Sequence, residues 1–292
     1  LRFNNINMND DVTLVLISHK SKDLILRFIK EIQNKFKIII IDNSDDIELK
    51  KEIKKNYYNV TLEIINNNGY ASAINYASKL IKTNYFMISN PDIEGINETK
   101  INEFVVCAKL LKDKFSCLGP RFINANPKSH IQSDPNIKIA EMKFLSGACM
   151  FFKKEKFDLL GGFDENFFLY FEESDYCLRG FNKDKNYQIN SIKINHFTGS
   201  SVGTKNRDEK KVLEQLYTWH FIWSKFYFTK KHYGFLISIL YFLPIISRII
   251  FRVSIYSLIS SEKKDKYVIR LNGLISSILG KKSYLRPKDI IL

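Results

Sequence analysis

Residues 12–44 read VTLVLISHKSKDLILRFIKEIQNKFKIIIIDNS, and this stretch decides the fold. VTLVLI (12–17) and KIIII (37–41) are short apolar runs rich in β-branched residues, which predict buried strands. Between them, Leu24, Ile25, Phe28, Ile29 and Ile32 recur at the 3.6-residue period of a helix over 22–36. Strand, amphipathic helix and strand form the repeating unit of an α/β protein with a mainly parallel sheet and flanking helices. The unit recurs downstream. Residues 47–55 read as a charged helix, 60–65 as a third strand, 71–81 as a helix of small residues and 85–89 as a fourth strand.

Every one of these strands runs into a polar turn. The turns are Ser18-His19, Asp42-Asn43-Ser44, Asn66-Asn67-Asn68-Gly69 and Asn90-Pro91-Asp92. The carboxyl ends of parallel strands open into the crevice where doubly wound sheets bind ligands, so four such ends in order mark a binding edge. No GxGxxG follows the first strand and no GxxxxGK[ST] occurs, which moves NAD and ATP enzymes down the list.

The chain has 292 residues, 45% of them hydrophobic, enough to bury a real core. Cys107, Cys117, Cys149 and Cys177 lie in apolar contexts without CxxC spacing, which argues against a disulfide framework or a zinc site and fits a reducing compartment. Residues 1–11 are polar and Asn-rich with no signal-peptide pattern, so a cytoplasmic protein is expected. The formal charge of +14 is unevenly placed: residues 205–292 hold 17 Lys and Arg against 6 Asp and Glu, and residues 1–204 contribute only +3. We therefore expect two parts, 1–204 and 205–292, the second a helical, basic and aromatic module.

Within that module the uncharged run 235–247 is 13 residues long and contains Pro244, too short to span a bilayer. Flanking Lys and Arg instead predict a helical segment lying in the headgroup region of the inner membrane face. The competing reading is a helix packed on the protein's own core or in a homodimer interface. A basic, aromatic chain also meets the first criterion for nucleic-acid binding. The basic excess adjoins an apolar run instead of a polar groove, and no nucleic-acid motif appears, so no nucleic-acid partner is expected.

The segments LVLISHK, IIIIDNS, NNNGYASAINYA, FMISNPDI, FLSGACMFFKKEKFDLLGGFDENFFLYFEESDYCLRG and INHFTGSS, in that order over about residues 12–204, resemble the inverting family 2 glycosyltransferases with the GT-A fold, particularly their bacterial rhamnosyltransferase-like branch. The resemblance implies a Rossmann-like catalytic domain that binds a nucleoside diphosphate sugar. It maps Asp42, with Ser18 alongside, to contact with the donor base, a role chemically suited to a carboxylate accepting the imide N–H of uracil or thymine. An Asp here could equally cap the helix that begins near Ile47. Asn68-Gly69 resembles the family's Asn-Gly turn, where glycine admits the backbone close to the ligand and the next helix offers N–H groups to negative charge. Gly147-Ala148 is implied to leave room for the donor sugar.

Asn90-Pro91-Asp92 stands in place of the family's DxD motif, with Asn90 replacing its first carboxylate. That leaves Asp92 as the implied ligand of Mg²⁺ or Mn²⁺, joined by His196, and the NPD form resembles enzymes using deoxythymidine-diphosphate rhamnose. Glu173 aligns with the family's catalytic base, one methylene longer than the usual Asp. Glu172 and Asp175 remain open as the operative base, as does a purely electrostatic role for all three at a helix amino end. Asp164 is implied to orient the acceptor or its loop, and Arg179 to hold Asp175 or a neighbour. The implied reaction adds rhamnose to a lipid-linked or polysaccharide acceptor. A UDP-hexose donor and a catalytically inactive sugar-nucleotide-binding scaffold are the alternatives.

Overall fold

The computed structural model describes residues 11–32, 35–124, 131–197, 202, 207–286 and 289. Residues 1–10 and residues 198–201 of the INHFTGSS segment lie outside the described residues. The chain forms two compact units, Leu1–Asp164 with Glu173–Gly203, and Glu165–Glu172 with Thr204–Leu292.

The first unit begins β1 (Val12–Ser18), α1 (Lys22–Ile32), β2 (Lys37–Asp42), α2 (Ile47–Asn56), β3 (Val60–Ile64), α3 (Tyr70–Leu80) and β4 (Tyr85–Ser89). These boundaries follow the periodicity closely because every residue of β1 and β4 is buried, as are all but the first of β2. Strands covered on both faces read as unbroken apolar runs. The four strands pair in parallel in the order β3-β2-β1-β4.

Beyond β4 the sheet becomes mixed. The chain continues through β5 (Ile93–Glu94), α4 (Glu98–Leu110), β6 (Cys117–Phe122), β7 (Ile139–Met142), β8 (Cys149–Lys153), α5 (Lys154–Leu159), α6 (Glu172–Phe181) and β9 (Asn186–His196). β8 runs antiparallel to β4 and to β6, whereas β6 and β9 are parallel. β5 and β7 both join β9 antiparallel. Side-chain alternation along β1 splits the core into two layers. Leu14 and Leu16 share one layer with Phe28 of α1, Leu49 of α2 and Phe104 of α4, while Val15 and Ile17 share the other with Ala73 of α3, Phe157 of α5 and Tyr176 of α6.

The second unit holds α7 (Arg207–Tyr233), α8 (Phe235–Ile259) and α9 (Ser261–Ile278) around Ile222, Phe226, Phe242, Ile249 and Leu274. Gly273 permits the close approach of α9 to α7, since a Cβ there would lie 2.7 Å from the Trp219 carbonyl oxygen. Trp219 Nε1 donates to Asn272 Oδ1 at 2.8 Å, and Ser277 Oγ donates to the Trp223 carbonyl at 2.9 Å. Residues 165–172 are built into this unit by aromatic contacts with α7. Phe167 meets Tyr227 at 4.9 Å, Phe168 stacks on His220 at 4.6 Å, and Ser224 Oγ donates to the Leu169 carbonyl at 2.8 Å.

The structure corrects the length of the apolar segment. Neither Pro244 nor Arg248 ends it, and α8 runs unbroken for 25 residues, roughly 37 Å at 1.5 Å per residue. Among the described helices it is the one long and apolar enough, by length and composition, to cross a membrane.

Candidate active site

The carboxyl ends of β1, β2 and β3 are tied edge to edge. The Asn43 N–H donates to the Ser18 carbonyl at 3.0 Å and the Ile65 N–H to the Asp42 carbonyl at 2.9 Å. Asp42 is fully buried, and its carboxylate organises the turn that follows. It accepts the backbone N–H groups of Ser44 and Asp46, each at 3.0 Å, and the Ser44 hydroxyl at 2.9 Å. Asp42 does not cap α2. Asp46 does, accepting the Leu49 N–H at 2.8 Å. Ser18 is also fully buried, its hydroxyl 3.5 Å from that of Ser21.

A further polar chain crosses these ends. His19 Nδ1 lies 2.7 Å from Asn43 Oδ1, Asn43 Nδ2 donates to Asn67 Oδ1 at 3.4 Å, and Asn67 Oδ1 accepts the Gly69 N–H at 3.2 Å. Each member stands in a strand-end turn, the one signal by which the sequence could have marked it. Asn68 lies in the same turn, its N–H donating to the Asn66 carbonyl at 2.9 Å. Gly69 has φ of 103°, outside the range most side chains tolerate, and forms the amino cap of α3 with no side-chain hydrogen bond. The first N–H groups of α3 therefore stand beyond a residue without a side chain.

Tyr70, the first residue of α3, brings its hydroxyl within 3.5 Å of both Asn90 Oδ1 and the Gly147 carbonyl oxygen. The Asn90 N–H donates to the Ala148 carbonyl at 2.8 Å. Gly147 adjoins Glu173: a Cβ on Gly147 would lie 3.1 Å from both Cβ and Cγ of Glu173. The structure thus brings Asn90, Gly147 and Glu173 into one continuous neighbourhood, and gives Gly147 the task of leaving room for the glutamate. Glu173 Oε1 accepts the Ser174 hydroxyl at 3.0 Å.

Asp92 is 1% exposed, and among the described residues neither of its carboxylate oxygens accepts a hydrogen bond. His196 Nε2 lies 3.4 Å from Asp92 Oδ1. The pairing of β5 with the end of β9, which sets Ile93 opposite His196, makes this contact, and the Phe197 N–H closes it by donating to the Asp92 carbonyl at 3.1 Å. Asn124 fixes the backbone of His196 on the other side, exchanging two hydrogen bonds with it at 2.8 and 3.1 Å.

A buried carboxylate with uncommitted oxygens beside an imidazole suits a hard divalent cation. Among the described residues no group of three His, Cys, Asp or Glu side chains is placed to hold an ion alone. A single carboxylate is nevertheless compatible with Mg²⁺, which retains waters and binds through one or two carboxylates and substrate phosphates.

The remaining acids differ in setting. Asp175 is fully buried and accepts Arg179 Nε at 2.9 Å. Arg179 also donates to the carbonyls of Leu160 and Gly162, fastening α6 to the turn before Asp164. Asn75 of α3 holds the same turn by exchanging hydrogen bonds with the Phe163 backbone at 2.8 and 2.9 Å. Gly161 and Gly162 both have positive φ there, and a Cβ on Gly162 would lie 2.6 Å from Asn75 Oδ1. Asp164 is half-buried. Glu172 is buried, and two bulky residues with left-handed backbone, Tyr170 at φ 70° and Phe171 at φ 71°, precede it. Such strain concentrates at functional sites and costs about 1–3 kcal/mol per residue.

No protein-family model matches the chain. Over 194 residues it is 23% identical to the low-salt glycan biosynthesis hexosyltransferase Agl10 of Haloferax volcanii, a match covering 59% of this chain and 62% of that protein. The matched part thus spans less than two thirds of the relative's length. Among solved structures, TarS 1-349 of S. aureus in complex with UDP-GlcNAc has a TM-score of 0.55 at 12% identity, over 93% of this chain and 92% of that chain. The TarS complex with UDP has a TM-score of 0.52 at 11% identity, over the same shares. GalNAc-T7 with UDP, GalNAc and Mn²⁺ has a TM-score of 0.52 at 13% identity, over 76% of this chain and 50% of that chain. At these identities the likeness establishes architecture: the chain has the α/β fold of the GT-A glycosyltransferases, accompanied by an apolar helix in its carboxyl-terminal part.

Proposed function

We propose that this chain is an inverting glycosyltransferase that moves a sugar from a nucleoside diphosphate donor, deoxythymidine-diphosphate rhamnose, to a lipid-linked or polysaccharide acceptor. The observation that carries the reading is the buried Asp92 carboxylate, set against His196 and two residues from Asn90, which the first residue of α3 approaches. The similarity to a hexosyltransferase and to folds solved with UDP, UDP-GlcNAc and Mn²⁺ supports the coarser part of it, sugar transfer from a nucleotide donor.

Asp92 and His196 would hold Mg²⁺ or Mn²⁺, which when bound neutralises charge on the departing diphosphate. Asp42, through the turn it organises, and Ser18 beside it orient the base, and the N–H groups at the amino end of α3, uncovered by Gly69, would face the diphosphate. Glu173 takes the proton of the acceptor hydroxyl as that oxygen forms its bond to the anomeric carbon and the bond from that carbon to the diphosphate oxygen breaks. One in-line displacement inverts the configuration. Asp175 and Arg179 position α6, and with it Glu173. Asp164 borders the acceptor, and the carboxyl-terminal unit holds the enzyme at the cytoplasmic membrane surface.

A UDP-hexose donor is the second reading, favoured by the nucleotide in the TarS and GalNAc-T7 structures. Thermal stabilisation by UDP, dTDP, GDP, CMP, ADP and NAD, each with and without Mn²⁺, tests both readings, because a ligand selective for the folded state raises the midpoint. A metal-dependent shift with dTDP or UDP alone supports a sugar-nucleotide site and chooses between them. The absence of any shift would refute the assignment.

A further inference from the structure

α8 and α9 meet along a ladder of cations and tyrosines. On α8, Arg248, Arg252 and Tyr256 follow one another at four-residue spacing and share a face. Lys263, Tyr267 and Arg270, at spacings of four and three residues, likewise share a face of α9, which follows the break at Ser260. Tyr256 stacks on Tyr267 with ring centroids 5.6 Å apart, and Lys263 Nζ lies 5.5 Å from the Tyr256 centroid. The Arg252 guanidinium lies 5.2 Å from the Tyr267 centroid and hydrogen-bonds its hydroxyl. Arg270 is half-buried, and burial together with the charges of Arg252 and Arg248 pulls its pKa down. Among the described residues none of these four cations is in an ion pair, although Glu262 and Asp265 lie on α9 itself.

Like charges gathered on tyrosine rings without an acid invite an anion. The rest of α8 indicates which kind. Leu236, Leu240, Leu243, Ile250, Phe251 and Leu258 are exposed along one stripe, with Leu236 at 76% and Leu258 at 89%. By helical spacing, Arg248 and Arg252 lie on the flank of that stripe towards α9, in line with the exposed Ile237 and Tyr241. An apolar stripe edged by arginines suits a helix lying at the headgroup level, with the chains below it and phosphates beside it. Carrying Arg248 and Arg252 into the hydrocarbon would be costly for two charged side chains, which disfavours a spanning helix.

We propose that Arg248, Arg252 and Arg270, with Tyr267, form a binding site for the phosphate of an anionic membrane lipid. This deepens the membrane-surface reading given above and rests on it.

The test is co-sedimentation of the full chain with vesicles of phosphatidylcholine alone or mixed with phosphatidylglycerol. Arg252→Gln/Arg270→Gln is compared with Arg252→Lys/Arg270→Lys, and thermal midpoints confirm that both are folded. The wild type is expected on anionic vesicles only. The Gln pair should bind about thirtyfold more weakly, the weight of two cations near an anionic surface, and the Lys pair should retain most of the binding. Equal binding by the Gln pair would overturn the proposal, as would preferential capture of an RNA oligonucleotide. Displacement by inorganic pyrophosphate at lipid-equivalent concentration would also overturn it, because the site would then select a soluble phosphate. The donor reading is scored separately, by nucleotide stabilisation of the wild type without vesicles, so either can fail while the other stands.

Discussion

His196 Nε2 stands 3.4 Å from Asp92 Oδ1, a contact made by the two-residue strand β5 against the end of β9. The pair joins the turn after β4 to the far end of the mixed half of the sheet. Its carboxylate accepts no hydrogen bond among the described residues. Removing its charge should therefore have opposite effects on binding and on folding.

Asp92→Asn is expected to keep or raise the melting midpoint without ligand, since a buried carboxylate that accepts no hydrogen bond costs stability. The same variant should lose the Mn²⁺-dependent part of stabilisation by dTDP or UDP, about 2.7 kcal/mol for a ligand at a hundred times its Kd. Differential scanning fluorimetry with and without Mn²⁺ reads both effects. An undiminished metal-dependent shift would remove Asp92 from the site.

Glu173→Gln should lower kcat by about a hundredfold to ten-thousandfold while leaving nucleotide stabilisation near the wild-type value, the pattern of a lost general base. Gly147→Ala is expected to lower kcat as well, because its new Cβ would lie 3.1 Å from Cβ and Cγ of Glu173 and displace that side chain. Wild-type turnover by Glu173→Gln would transfer the role to a neighbouring acid.

Arg179→Met should destabilise the protein by about 3–5 kcal/mol, the usual result of leaving one partner of a buried ion pair behind. It also strips donors from the Leu160 and Gly162 carbonyls. Chemical denaturation measures the loss. A change within about 0.5 kcal/mol, typical of surface substitutions, would mean that the Asp175–Arg179 pair does not hold α6.

His220 is buried between Ser283 Oγ at 2.9 Å and the Leu285 carbonyl at 3.0 Å, and burial lowers its pKa from 6.5 to about 4. The unfolded chain takes up the proton first. Its contribution is therefore complete above pH 6.5 and is lost as pH falls from there to about 4, up to about 3 kcal/mol. Urea denaturation across pH 4–7 should show this slope, and His220→Gln should flatten it.

How far the sequence could be read depended on how local each cause is. β1, β2 and β4 were legible because both faces of each are covered, which leaves unbroken apolar runs with polar ends. The mixed half was not, since β6 pairs with β8 and β9 through contacts that no local period encodes. The same holds within the site. Asp92 stood out in its turn, but its contact with His196 depends on β5, whose two residues are too few for a periodic signal. His19, Asn43 and Asn67 were visible as polar strand ends, yet their linkage emerges only once three strands align in register. The apolar stretch of α8 was underestimated because Arg248 read as an end, whereas helix–helix packing carries the chain past it.

Glu165–Glu172 belongs to the carboxyl-terminal unit although it interrupts the first unit in the chain. On the ribosome, this aromatic octapeptide emerges before α7, whose Tyr227 and His220 later cover Phe167 and Phe168. Until about residue 230 has been made, those rings have no partner from α7, and such transiently exposed apolar surface is prone to aggregation. Stopping synthesis at residue 204 would make that temporary exposure permanent. Shortened forms for expression should therefore keep the three carboxyl-terminal helices.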